Sequence, residues 1–299
     1  MGDSLSRTHF LNTVYFLAAP MLRQYPAAQH AVASCHSVTR NEALGLVREC
    51  VSMPCLLDEL TANLDNDMEL ICYIMHSRTG NRIPSIAGHS LAQVLKAGWL
   101  LASDVLVMNF GLHFGDRPAR EYESQIRKFV KEVVRWSLRL KNKQRKFPMI
   151  IWRETSPQHF PSAHGLFHSL SSWKTNASVS SQCVPITIGD GKTDGVDLHE
   201  KARQSSSDAT HDFYNNIARP LVIAEKALIH LLPTWATSTQ RWDEHFGWNQ
   251  YGTLDCTHYC LPSGTMSFWT SMLVGLLLGN RLYNDVVNFS SHCLERGGV

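Results

Sequence analysis

Apolar residues fall along this chain in two rhythms. Leu5, Phe10, Leu11, Val14, Tyr15, Leu17 and Ala18 recur at three- and four-residue spacing, which predicts an amphipathic helix near the start of the chain, capped by Ser4 or Ser6. Ile126, Phe129, Val130, Val133, Val134 and Leu140 trace a second such face among the charges of Asp116 to Lys146. The other rhythm is a short continuous run. Met68 to Ile74, Asp104 to Asn109 and Pro148 to Trp152 have the pattern of strands buried on both faces. Strand, amphipathic helix and strand in this order predict a crossover unit, a parallel sheet and the α/β class. Catalytic loops then follow the C-terminal ends of the strands. Phe268 to Leu278 reads as a buried helix, because Thr270, Ser271 and Gly275 interrupt it and a membrane span needs roughly 20 apolar residues. Glu154 to about Ala218 has little periodicity and is rich in Ser, Gly, Asp and His, so it reads as long surface loops, which in compact domains are often functional.

Composition narrows this picture modestly. The 299 residues, 44% hydrophobic and 18% charged, can bury one large core or two modest ones, and without repeats a single domain over 1–299 is expected. Lys and Arg total 28 against 26 acidic residues, too even a balance to attract a polyanion, so nucleic acid is not an expected partner. The first residues lack the positively charged region and apolar run expected of a secretory leader, and the superficial fit of Met1 to Ser6 to a myristoylation pattern is read as accidental. Eight cysteines include no Cys-x-x-Cys pair; Cys256 and Cys260 lie closest. Buried thiols and disulfides are both open at this level, and the sequons at Asn176 and Asn288 add only weakly to the second. Fifteen histidines without a supporting carboxylate cluster lead us to expect no metal and no cofactor.

Two short motifs carry candidate chemistry. Gly2-Asp3-Ser4-Leu5 sets a serine at a helix start, where backbone N–H groups and the helix dipole stabilise an anion beside its hydroxyl. An ordinary N-cap serine has the same appearance. Asp255-Cys256-Thr257-His258 places an acid and a histidine three apart, on one face if the turn is helical. The carboxylate would then hold the imidazole in one tautomer, leaving its other nitrogen to take a proton from a serine. A surface Asp-His pair in a turn is the plain alternative.

Taken together, Gly2-Asp3-Ser4-Leu5-Ser6-Arg7 and Asp255-Cys256-Thr257-His258-Tyr259-Cys260-Leu261-Pro262 resemble the paired motifs of the trichome birefringence-like and PC-esterase family, within the SGNH/GDSL hydrolase superfamily. Two intervening segments agree in order: DVLVMNFGLH from Asp104 to His113 and WRETSPQHF from Trp152 to Phe160. The resemblance covers nearly the whole chain. It implies a three-layer α/β/α SGNH-like fold around a central, mostly parallel sheet, and a serine-dependent transferase moving O-acetyl groups on glycans or polysaccharides. A carbohydrate O-acetyl esterase and a non-catalytic lumenal glycan-binding protein are the alternatives. By this resemblance Ser4 is the nucleophile, His258 the base and Asp255 its orienting acid. Asn109 and the backbone N–H of Ser4 form the oxyanion hole, with Gly80 a further candidate.

The resemblance also bears on neighbouring residues. Asp3, Arg7 and His113 are motif or substrate-site positions by this reading, though Arg7 in a structural ion pair and His113 in a structural role are equally open. Arg153 and His159 read as scaffold around the cleft. Trp152, Trp235, Trp242 and Trp248 offer sugar-stacking surfaces, with core packing the commoner role for tryptophan. Family members are lumenal, in the Golgi or elsewhere in the secretory pathway, and carry disulfides around the Asp-x-x-His segment. Cys256 and Cys260 are thus expected to brace the loop from both sides of His258. The implied partners are a glycan acceptor and a small acyl donor. Superfamily members set the nucleophile after the first core strand and usually carry an N-terminal anchor. Only Met1 and Gly2 precede Asp3 here, so the first strand is expected to be missing, the chain to be truncated, and an anchor to belong to the full-length protein alone.

Overall fold

In the computed structural model the described residues are 9–14, 36–41, 46–52, 70–76, 91, 94, 100–101, 104–112, 119–160, 182–186, 212–248, 254–260 and 263–277. The frame of the site is a three-stranded parallel sheet of β4 (Val105–Met108), β5 (Met149–Arg153) and β6 (Ile229–Leu232), in that order. Val105 pairs with Met149 and Ile150 with Ile229. Helix α1 (Ala119–Asn142) connects β4 to β5, α2 (Phe213–Ala224) precedes β6, and the short α3 (Trp235–Ser238) follows it. The α/β reading holds, and the crossover helix lies where the apolar spacing predicts it.

Alternation along β5 divides two cores. Ile150 and Trp152 face α1 and α2, packing with Phe129, Ile126, Val133, Ala218 and Val222. Ile151 faces the opposite way, onto Met266, Trp269 and Leu273 of α4 (Gly264–Leu277). Helices therefore cover both faces, as a parallel sheet with no polar side requires. Each such fully buried side chain contributes about 1.5–3 kcal/mol through area removed from water. Glu244 caps α4, its carboxylate accepting the amides of Gly264 (3.1 Å) and Thr265 (2.7 Å). The helical residues 9–14 dock on α4 in turn: Asn12 Nδ2 donates to Thr270 Oγ1 at 3.1 Å, and His9 meets Trp269 edge-on.

Two expectations need correction. The Met68–Ile74 run is not a parallel strand. As β3 (Leu70–His76) it pairs antiparallel with β2 (Leu46–Ser52), which pairs antiparallel with β1 (His36–Asn41). An apolar run reports burial but not pairing direction. The four residues between β1 and β2 are too few for a parallel crossover. Second, the stretch after Glu154 is no surface loop at either described end. Glu154 to Phe160 is buried apart from the half-buried Gln158, and α2 begins at Phe213 with Ala218 in the core. Glu154, Thr155 and His159 are buried because they are paired, which composition does not reveal.

Candidate active site

Asp255 and His258 lie in β8 (Leu254–Tyr259), the antiparallel partner of β7 (His245–Trp248). This corrects the helical-turn reading. In a regular strand, residues three apart point to opposite faces. Here His245 pairs with Tyr259 and Gly247 with Asp255, so two steps along β7 face four along β8. The surplus makes a bulge at Cys256 to His258, the device by which strands re-aim side chains. His258 Nδ1 consequently lies 2.8 Å from Asp255 Oδ2. The other oxygen, Oδ1, accepts the amides of Thr257 (3.1 Å) and His258 (3.0 Å). Burial works to raise the Asp255 carboxyl, but the His258 ring and these amides outweigh it and hold the group below its ordinary value. An ionised Asp255 fixes the ring proton on Nδ1 and makes Nε2 the basic nitrogen.

A strap of buried residues runs from the C-terminal end of β5 to this bulge. Glu154 accepts the Trp235 amide, and its carbonyl accepts the Thr234 hydroxyl. Gln158 Nε2 donates to Thr257 Oγ1 at 2.7 Å, and the His159 amide donates to the Cys256 carbonyl at 3.0 Å. Phe160 packs with Cys183, Leu254 and Cys256. A disulfide joins Cys183 to Cys256, whereas Cys260 is a free thiol, so covalent bracing reaches His258 from one side and not from both.

His159 is the strap's deepest residue. Its Nε2 lies 2.9 Å from the Thr239 carbonyl and its Nδ1 2.7 Å from His245 Nε2. Nδ1 of His245 in turn lies 3.0 Å from the carbonyl of His258. The scaffold reading of His159 agrees with this burial. Arg153 is also buried, its guanidinium stacked over Trp269 at 4.9 Å. Trp152 belongs to the core rather than to a sugar-stacking surface.

Asn109 follows β4, and its amide nitrogen donates to the Arg153 carbonyl (2.8 Å) and to Thr155 Oγ1 (3.1 Å). Both of its N–H groups are thus engaged by the scaffold. Turning the amide over would oppose two carbonyl oxygens, so its orientation is determined. Thr155 is itself gripped by Asn215, which accepts its amide at 2.8 Å and donates to its carbonyl at 2.9 Å. Gly111 approaches so closely that a Cβ there would meet Thr155 Oγ1 at 2.3 Å.

Behind Asn215, Arg219 bridges Glu154 (2.7 Å) and Asp212 (3.3 Å). Burial raises both carboxyls, and Arg219 only partly offsets this. Sequence reasoning passed over this cluster and His245. The spacing of Asp212, Asn215 and Arg219 on one helical face was the available signal.

Asp3, Ser4, Arg7, Gly80 and His113 lie outside the described residues, as do both sequons. Among the described residues, no group of three or more His, Cys, Asp or Glu side chains is arranged to hold a metal ion, and no helix is long and apolar enough to cross a membrane. No protein-family model and no curated protein matches the chain.

Proposed function

We propose that this chain is the catalytic unit of a serine-dependent O-acyl transferase acting on glycan hydroxyls, built on an SGNH-type α/β/α frame. One observation carries the reading: the Asp255 carboxylate engages His258 Nδ1 at 2.8 Å beside a disulfide-anchored bulge. A carboxylate spent in this way fixes a base, and a base needs a nucleophile. Ser4 is the nucleophile of this proposal. The helix residues just after it are tied through His9 to Trp269, which in turn contacts Tyr259, the neighbour of His258.

Ser4 Oγ attacks the acyl carbonyl while His258 Nε2 takes its proton. As the tetrahedral intermediate collapses, the leaving alcohol recovers that proton and the acyl group stays on Ser4. A sugar hydroxyl then gives its proton to His258 and attacks the acyl-serine, and His258 returns that proton to Ser4 Oγ as its bond to the acyl group breaks. With water as acceptor, the same cycle is that of an esterase. Asn109 serves the oxyanion through the N–H now directed at Thr155, the longer of its two bonds and one made to a hydroxyl. No cofactor enters the cycle. The Cys183–Cys256 bond favours an oxidising lumen in the secretory pathway, such as the Golgi.

Intact-mass detection of a phosphonyl or acetyl adduct on Ser4 tests this, with Ser4→Ala and His258→Ala as controls. A folded chain that forms no adduct sinks the proposal. Acetyl transfer to oligosaccharides compared with release to water separates the two acceptors. Hydrolysis without detectable transfer would make the protein an esterase.

A further inference from the structure

A proton count exposes a second device behind the bulge. The Thr239 and His258 carbonyls can only accept hydrogen bonds, so His159 Nε2 and His245 Nδ1 must both carry hydrogen to bond them. A neutral imidazole has a single N–H. In a pair of neutral rings the facing nitrogens, 2.7 Å apart, would therefore both be bare, with two lone pairs opposed. Three contacts need three protons, and two neutral rings hold two.

We propose that His159 and His245 are a positioning pair for His258 which takes up one shared proton between the rings. With three protons, a continuous chain of hydrogen bonds runs from the Thr239 carbonyl to the His258 carbonyl and clamps the bulge that carries the base. With two, the chain is broken at one of its three links.

The surroundings set where that proton enters. Burial lowers His159, opposed by its bond to Thr239 and by the nearby Asp243 carboxylate. His245 is pushed down to about 3, first by burial and then by charge on His159; its bond to the His258 carbonyl and the Asp255 carboxylate oppose this, and charge on the His258 ring adds to it. Tyr259 stacks on His245 at 4.3 Å and shields it from water. The third proton therefore enters on the His159 side, below the ordinary histidine value, and a fourth is resisted more strongly. The assignment of His258 as base rests on the function proposed above, but the proton count does not.

Histidine-selective 15N NMR of the whole 299-residue chain, titrated downward from about pH 8, tests this across the histidine range. The expected result is that His159 Nε2 and His245 Nδ1 stay protonated throughout. The two rings gain one proton in a single joint step, and scalar coupling across the inner N···N contact appears with it. His245→Asn retains a donor for the His258 carbonyl but removes the partner ring, so the joint step should disappear and His159 should titrate alone. Coupling at every pH with one outer nitrogen bare overturns the proposal, as do independent titrations or no coupling in the wild-type chain. Adduct formation at Ser4 is read separately, so failure of either idea can be distinguished from failure of the other.

Discussion

His258 Nδ1 lies 2.8 Å from Asp255 Oδ2 within one strand, although residues three apart in a regular strand point to opposite faces. The bulge opposite Phe246 makes the contact possible, and the carboxylate ties the ring and the bulge amides together. A single acid thus orients the base and shapes the loop that presents it.

Replacing Asp255 with Asn should separate these two roles. The Asn oxygen can still accept the Thr257 and His258 amides, but its NH2 facing Nδ1 selects the wrong tautomer. Phosphonate labelling of Ser4 should slow by about 10³–10⁴-fold with the thermal midpoint nearly unchanged. Labelling within tenfold of wild type would show that the acid does not orient the base.

Gly111→Ala should destabilise the fold by about 1–3 kcal/mol, because the new methyl would meet Thr155 Oγ1 at 2.3 Å. Thr155 is β-branched and held at its backbone by Asn215, so it has little room to yield. Adding Thr155→Ala should recover much of the loss in urea denaturation. Additive losses in the double variant would place the strain elsewhere.

Arg219→Met leaves the Glu154 and Asp212 carboxylates buried without their shared cation, and should cost about 3–5 kcal/mol at neutral pH. Both folded carboxyl pKa values already stand above their ordinary values, and the variant raises them further. Groups raised in this way add stability at low pH that is lost as pH climbs through the folded value. The deficit should therefore shrink on acidification below neutrality. A deficit independent of pH would assign Arg219 a packing role alone.

Buried histidines act in the opposite sense. Burial holds His9 well below its ordinary value and lowers His159 as well. Below about pH 6.5 the unfolded chain takes up protons that the folded chain refuses, so unfolding free energy should fall as pH drops from neutrality. His9→Gln should flatten that slope, as measured by urea denaturation at stepped pH. An unchanged slope would remove His9 from the acid response.

Reducing the Cys183–Cys256 bond, which closes a 73-residue separation, should cost about 4 kcal/mol through regained chain entropy. Cys256 adjoins Asp255, so the His258 ring should also lose its fixed tautomer, visible in the histidine 15N spectrum. Reduction that lowers stability but leaves that spectrum unchanged would confine the bond's role to stability.

The local features of this protein were legible in its sequence. Helix α1 follows from periodicity, and the strands β4 and β5 and the buried helix α4 follow from apolar runs, both properties of neighbouring residues. Asp255 and His258 were visible as a pair because three residues separate them. What folding alone decided is longer in range. The antiparallel partner of β3, the bulge that turns His258 toward Asp255, and the burial of Glu154 to Phe160 depend on segments distant in the chain. His159 finds His245 across 86 residues and Glu154 finds Arg219 across 65. The physical reason is that polar residues can be buried only where partners from elsewhere satisfy them, so a polar stretch reads as surface until the tertiary structure supplies those partners.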